Sequence, residues 1–209
     1  MKNMDFLTGT GLAASAGLNA YIPLLAVGVL NRYTSVIDLG PGFAWLSDGW
    51  VLLILGVLLA LEIVADKIPA VDSVNDMIQT IVRPTSGGIV FGSSAVSNIA
   101  GVQVGGTDTV TDPAAYAQSG QWVAIVLGIV IALIVHLVKA GSRPIINTFS
   151  AGLGAPVVSA TEDATSVLLV VIALFLPILV LIFIVLLIWA IFWVMRARKR
   201  RKSTRVAVY

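Results

Sequence analysis

The stretch VLLVVIALFLPILVLIFIVLLIWAIFWVM, from Val167 to Met195, decides the fold class because it contains no charged residue. A membrane-spanning helix needs about 20 largely apolar residues. At a rise of about 1.5 Å per residue, this stretch is longer than a hydrocarbon core of roughly 30 Å is thick. It therefore predicts a long transmembrane helix that tilts or bends, with the bend at Pro177.

The composition of the whole chain agrees with a membrane protein. Hydrophobic residues make up 58% of the 209 positions and charged residues 11%, against roughly 45–50% and about 25% in soluble domains. The chain has no cysteine, which excludes disulfides, thiolate catalysis and iron–sulfur clusters. An ordinary soluble domain is excluded on the same numbers.

A basic tail follows the apolar stretch. Seven of the 13 basic residues lie there: Arg196, Arg198, Lys199, Arg200, Arg201, Lys202 and Arg205. Such a tail is typical of a cytoplasmic anchor that binds anionic lipids, and we expect no nucleic-acid partner. The chain then divides into a repeat-containing transmembrane domain (1–165), a long C-terminal helix (166–195) and the tail (196–209).

Five further segments are candidate spans. Two are strongly apolar, Trp50–Ala65 and Trp122–Val138, whereas three are rich in small residues, namely Phe6–Leu30, Gly87–Val102 and Ile145–Ala160. Small residues suit helices that pack closely inside a bundle. We predict an all-α protein of about six transmembrane helices, and the alternative is five spans plus a re-entrant segment.

The loops orient these six spans. The inner loops hold Lys67, Arg83, Lys139 and Arg143, whereas Arg32 is the sole basic residue of the outer loops, which also receive Glu162 and Asp163. Lysine and arginine favour the cytoplasmic side. The pattern predicts a multi-pass inner-membrane protein with both termini in the cytoplasm.

Short motifs recur along the chain. Ser15–Ala20 resembles Ser150–Ala155, and Leu55–Leu61 resembles Leu127–Leu133. These matches predict repeated hairpins of a small-residue helix and an apolar helix, although short apolar motifs also match by chance. Between two spans, Val71–Val82 has apolar residues at spacings of three and four, which predicts an amphipathic helix on the inner surface or a simple connecting helix.

Ionisable residues inside spans are the first candidates for function, because they are costly there. Glu62 and Asp66 are four residues apart and share one helix face. They are candidates for a proton or cation site, or for partners of an arginine; the alternative is an interfacial ion pair with Lys67 or Arg83. His136 is a candidate proton relay, but an interhelical hydrogen bond is favoured.

Two Arg-Pro pairs, Arg83-Pro84 and Arg143-Pro144, resemble helix starts. A helix N-terminus beside an arginine binds anions, so these arginines, with Lys67 and Lys139, are predicted to form a basic vestibule. Basic residues that only mark the cytoplasmic side of the membrane, next to ordinary proline helix starts, would give the same sequence pattern. Asn19 and Thr148 join as substrate ligands if they reach one cavity, and otherwise serve helix packing.

The chain shows no phosphate loop, nucleophile elbow or zinc-binding signature, so we expect no enzyme, no metal and no cofactor. The favoured function is a small secondary transporter or channel-like permease for an anion or a lipid phosphate. The alternative is a non-transporting scaffold or assembly protein. In either case membrane lipids are partners, and the small-residue faces suit a homo-oligomer.

Two motifs carry a resemblance to a known family. GLNAYIPLL (Gly17–Leu25) and LEIVADKIPAVD (Leu61–Asp72) together resemble the bacterial integral-membrane family known as domain of unknown function four-one-two-six. The resemblance covers roughly residues 8–165 and leaves the final helix and the tail outside. It implies a small polytopic inner-membrane protein and supplies no activity.

Overall fold

The computed structural model describes residues 2–40, 42–95, 98–99, 102–103, 121–150 and 154–206, which form a helical bundle. Seven α-helices lie in these ranges: α1 Lys2–Leu18, α2 Tyr21–Tyr33, α3 Gly49–Ala65, α4 Pro69–Ser94, α5 Gln121–Ser150, α6 Ala155–Phe175 and α7 Val180–Val206. Short 3-10 turns precede α3 (Ala44–Ser47) and α7 (Pro177–Leu179). Three two-residue strands, β1 Ile37–Asp38, β2 Asn98–Ile99 and β3 Val102–Gln103, form an antiparallel sheet in that order.

Helices α1 and α2 form a hairpin that enters and leaves the bundle at the same end. α1 begins beside the C-terminal end of α4, where Phe6 and Phe91 pack edge to face with ring centroids 5.8 Å apart. α2 ends at the same place, because β1, which follows α2, pairs with β2, which follows α4. The tip of the hairpin is Asn19 and Ala20, and both are fully buried.

The predicted first span, Phe6–Leu30, is therefore not one crossing helix. Its break has a local cause: Asn19 Oδ1 accepts hydrogen bonds from the backbone N–H groups of Tyr21 at 3.1 Å and Ile22 at 3.3 Å, which starts a new helix. The bundle therefore has a helical hairpin where the six-span prediction has one helix. Hydropathy did not reveal it, because both arms of the hairpin are apolar.

The remaining helices alternate in direction. Where α4 and α5 pack together, Gly92 lies near Ile125 and Arg83 contacts His136, so the two helices are antiparallel. α7 begins near Gly11 of α1, beside Val180, and ends beyond the opposite end of the bundle. The start of α1 and the end of α7 thus lie at opposite ends of the bundle, whereas the six-span prediction puts them at the same end.

A break at Pro177 is present, as predicted, but it is sharper than a bend. Leu176 leaves the helical region with φ −137° and ψ 54°, and a 3-10 turn over Pro177–Leu179 follows. α6 and α7 then run antiparallel, since Val180 packs near Gly11 whereas Ala190 shares a cleft with Glu162. The apolar stretch Val167–Met195 is thus the second half of one helix and most of the next.

Two predicted segments also have different bounds. α4 is continuous from Pro69 to Ser94, so the amphipathic Val71–Val82 and the first half of Gly87–Val102 belong to one helix, and β2 and β3 follow it. Ile145–Ala160 is divided between the end of α5 and the start of α6. Composition marked these regions as apolar but gave no signal for where each helix ends.

The distribution of polarity is opposite to that of a soluble protein. Apolar side chains on the amphipathic part of α4 are exposed, such as Met77 at 70% and Ile81 at 74%, while Gln79 and Arg83 on its other face are buried. Two segments of the described residues, Trp122–Arg143 and Pro156–Phe175, are long and apolar enough to cross a membrane, and three shorter apolar helices accompany them.

Candidate functional site

A cluster of buried charged side chains lies beneath the hairpin tip; we call it the ion cluster. It consists of three cations, Arg83, Lys139 and Arg143, and three carboxylates, Glu62, Asp66 and Glu162. They come from α3 and the residue after it, from α4, from α5 and from α6. The formal charges of these six groups sum to zero, and Asp76 adds a further carboxylate at the rim of the cluster, 3.9 Å from Arg83.

Arg83 is the most deeply buried member, with no exposed surface. Its Nη2 donates to Glu62 Oε1 at 2.8 Å, while Nη1 lies 3.0 Å from His136 Nδ1. His136 Nε2 lies in turn 3.1 Å from the Thr80 hydroxyl. Asp76 approaches Arg83 Nη1 at 3.9 Å from the rim of the cluster.

Asp66 occupies the centre of the three cations. Its Oδ2 lies 3.8 Å from Arg83 Nη2, 3.3 Å from Lys139 Nζ and 3.3 Å from Arg143 Nη2. Its Oδ1 accepts from Asn75 Nδ2 at 2.6 Å. One carboxylate oxygen therefore stands where three positive charges converge.

Glu162 closes the other side of the cluster. Its Oε2 lies 3.0 Å from Lys139 Nζ and 2.8 Å from Arg143 Nη2. Lys139 Nζ also donates to the carbonyl of Leu18 at 3.0 Å. The lysine thus joins two carboxylates to the C-terminal end of α1, where the helix dipole favours a cation.

Polar contacts also fix the hairpin tip to the rest of the bundle. Asn19 Nδ2 donates to Asp163 Oδ1 at 2.9 Å, and the Ser86 hydroxyl donates to the carbonyl of Ala20 at 2.5 Å. About one helical turn before the tip, the hydroxyl of Ser15 in α1 lies 2.7 Å from that of Ser166 in α6. A shift of the tip would therefore disturb α4, α5 and α6 together.

Most of the site residues predicted from sequence meet in or beside this cluster, but not as an open basic vestibule. Arg83, Lys139 and Arg143 are buried and paired with carboxylates, whereas Lys67 is exposed and donates to the carbonyl of Ile63 in its own helix at 2.9 Å. The side chain of Thr148 lies outside the described residues.

The Arg-Pro pairs are not helix starts. Pro84 lies inside α4, and α5 continues past residue 144 to Ser150. No N–H groups of a helix end therefore lie at Arg83, and the prediction that these two pairs begin helices is wrong. Next to the proline, the Thr85 hydroxyl donates to the carbonyl of Ile81 at 2.8 Å.

Sequence reasoning missed Glu162, which it assigned to an outer loop together with Asp163. Both lie inside α6, on the side of the hairpin tip and the ion cluster. The available signal was a pair of carboxylates within an otherwise apolar helix, which usually marks a partner or a cavity. In the described ranges, no group of three or more histidine or acidic side chains has an arrangement that could hold a metal ion.

The two sequence motifs that carry the family resemblance both contribute to this site. Gly17–Leu25 contains the hairpin tip, and Leu61–Asp72 contains Glu62 and Asp66. A family model described as Domain of unknown function (DUF4126) matches residues 6–197, so the match includes the final helix as well. No curated protein and no solved structure matches the chain. Because the family match covers almost the entire chain, the protein belongs to the DUF4126 family.

Proposed function

We propose that the chain is a multi-pass inner-membrane protein with five crossings, α3 to α7, and one re-entrant hairpin, α1–α2. Its inverted polarity supports this, because exposed apolar surface is favourable in lipid and unfavourable in water. Along α3, for example, Leu53, Val57, Leu61 and Val64 are all more than half exposed. Non-helical backbone is tolerated at membrane depth when protein encloses it, as it encloses Asn19 and Ala20.

We further propose that the basic tail lies in the cytoplasm and binds anionic lipids. The seven basic residues after Met195 favour that side, and Lys67 lies at the same end of the bundle. The N-terminus, Arg32 and the small sheet then face the outside. In this orientation the re-entrant hairpin descends from the outside, and the ion cluster lies near the cytoplasmic end.

For the activity, we propose a proton-linked permease for a small anion, with the ion cluster as its coupling site. One observation carries the proposal: Asp66 Oδ2 lies within 3.8 Å of all three cations. A carboxylate of the protein thus occupies the position that an anionic substrate would take. Phosphate, a carboxylate or a lipid phosphate would suit the same three donors.

Charge balance then couples the anion to a proton. When Asp66 carries its charge, the six groups are neutral and an added anion would leave a net negative charge in a medium of low dielectric. When Asp66 is protonated, the cluster has one excess positive charge, and an anion restores neutrality. Binding of one anion and binding of one proton therefore favour each other.

In this proposal the hairpin tip is the moving gate, and it contacts the residues that would bind the substrate. Transporters commonly build their sites from interrupted helices near the middle of the membrane, and α1 is interrupted directly beside the cluster. Lys139 bonds the Leu18 carbonyl at this interruption. An anion that draws Lys139 away would release the end of α1, which gives the tip two distinct arrangements.

The experiment is uptake into liposomes reconstituted with the full chain. Radiolabelled inorganic phosphate, succinate and lysophosphatidate are tested separately, each with and without an inward proton gradient. We expect the gradient to accelerate uptake of at least one probe above that of empty liposomes. Asp66→Asn, which is permanently neutral, should take up the same probe at a rate that no longer depends on the gradient.

Asp38→Asn is the matched control, because Asp38 is an exposed aspartate in β1 far from the cluster; it should keep the response to the gradient. Uptake equal to that of empty liposomes for all three probes would overturn the proposal, as would an Asp66→Asn variant that still responds to the proton gradient.

A scaffold is the second candidate, and close helix packing favours it. A Cβ added at Gly87 would meet the backbone oxygen of Gly128 at 2.7 Å, so α4 and α5 touch almost backbone to backbone. For a scaffold, all three probes would fail to enter, while deletion of the tail would release a protein partner from the membrane.

A further inference from the structure

A cleft of about 350 Å³ opens between α5, α6 and α7, beside the ion cluster. Its walls are mostly apolar, with Val135, Phe183, Leu186 and Leu187 among them. Glu162, Lys139, Ser142, Thr161 and Thr165 are its polar residues. The cleft is therefore amphipathic, and its volume is at the small end of the range for ligand sites.

The polar groups of this cleft offer acceptors rather than donors. Each of its three hydroxyls already donates to a backbone carbonyl: Ser142 to Lys139 at 2.8 Å, Thr161 to Val158 at 2.7 Å and Thr165 to Thr161 at 2.6 Å. A hydroxyl whose O–H already donates one hydrogen bond still has oxygen lone pairs that accept further hydrogen bonds.

The two charged residues lead to the same conclusion. Lys139 has three N–H donors, and its ammonium lies near three acceptors: the Leu18 carbonyl at 3.0 Å, Asp66 at 3.3 Å and Glu162 at 3.0 Å. Both ion pairs of Glu162 use its Oε2, so Oε1 takes part in neither. A ligand in the cleft would thus meet a carboxylate and hydroxyl oxygens.

We propose that this cleft binds an amphiphilic ammonium: a protonated amine, held by Glu162 and the threonine hydroxyls, on an alkyl chain that lies along Phe183 and Leu187. An alkyl amine carries its proton at pH 7, as lysine does. The cleft shares Glu162 and Lys139 with the ion cluster, but Asp66 and Arg143 are not among its lining residues, and the proposal does not depend on transport. An ammonium at Glu162 would compete with Lys139 for that carboxylate.

The test is native mass spectrometry of the full chain in a detergent without amine or phosphate. The probes are dodecylammonium and dodecyl phosphate, which share a chain and carry opposite charges. We expect dodecylammonium to bind at least about tenfold more tightly. Lysophosphatidylethanolamine, with an ammonium beside a phosphate, shows whether the natural head belongs to a phospholipid or to a free amine.

Ala190→Phe fills the cleft without altering a charged residue and should abolish dodecylammonium binding. Ile188→Phe is the matched control, because Ile188 lies on the exposed face of the same helix; it should bind as the native chain does. Dodecyl phosphate binding as tightly as dodecylammonium would overturn the proposal. So would failure of both ammonium probes to bind the native chain, a result that needs no variant to fold.

Discussion

Arg83 illustrates at the scale of single residues how this protein keeps charge inside an apolar bundle. The guanidinium is fully buried and pairs with Glu62 at 2.8 Å. A buried ion pair adds little stability relative to a well-packed apolar pair, whereas one unpartnered buried charge is costly. Replacing both partners by apolar residues should therefore change stability little, whereas removing only one partner should lower it strongly.

This asymmetry predicts the behaviour of a double-mutant cycle. Arg83→Met should lower the free energy of unfolding by about 3–5 kcal/mol, because it leaves Glu62 charged and buried. Glu62→Leu combined with Arg83→Met should recover most of that loss. The readout is the thermal unfolding midpoint in detergent; a double variant as unstable as the sum of both single variants would contradict the account.

At the scale of helices, two glycines that look equivalent in sequence have different surroundings. Gly56 and Gly128 occupy the same place in the repeated motifs Leu55–Leu61 and Leu127–Leu133. A Cβ on Gly128 would meet the backbone oxygen of Gly87 and, at 2.6 Å, Phe91 Cβ, whereas a Cβ on Gly56 would meet nothing within 4 Å. Gly128 alone of the two allows a close helix contact.

Alanine substitutions at these two positions should therefore differ in their effect on stability. Gly128→Ala should cost about 1–3 kcal/mol, because the backbones of α4 and α5 must separate. Gly56→Ala should be neutral or stabilise α3 by up to about 1 kcal/mol, since alanine is the better helix former. Thermal unfolding of both variants in the same detergent checks this, and equal midpoints would show that the close contact is absent.

Sequence reasoning identified the charged residues of the site better than the path of the helices. Glu62, Asp66, Arg83, Lys139 and Arg143 stand out because charge inside apolar segments is costly. The hairpin does not stand out: its two arms have the hydropathy of one span, and its turn depends on one side chain, Asn19. Which charges pair also depends on tertiary packing, so Glu162 was assigned to a loop.

At the scale of the whole molecule, the proposed topology makes the hairpin decide on which side of the membrane the N-terminus lies. The chain has no native cysteine, so single cysteines report topology without background. With five crossings, Asn3→Cys and Thr34→Cys should react with a membrane-impermeant maleimide on intact cells. Ser203→Cys in the tail should react only after the membrane is opened. Labelling of positions 3 and 203 from the same side would rule out this topology.

Proton movement driven by an anion is the most direct test of the proposed coupling. Reconstituted liposomes with an entrapped pH dye receive an inward gradient of the transported anion and no pH gradient. If Asp66 must be neutral when the anion binds, the lumen should acidify as the anion enters, with protons and anions in equal amounts. Asp66→Asn should admit the anion without acidification. Anion entry through the native chain with no change in internal pH would contradict the account.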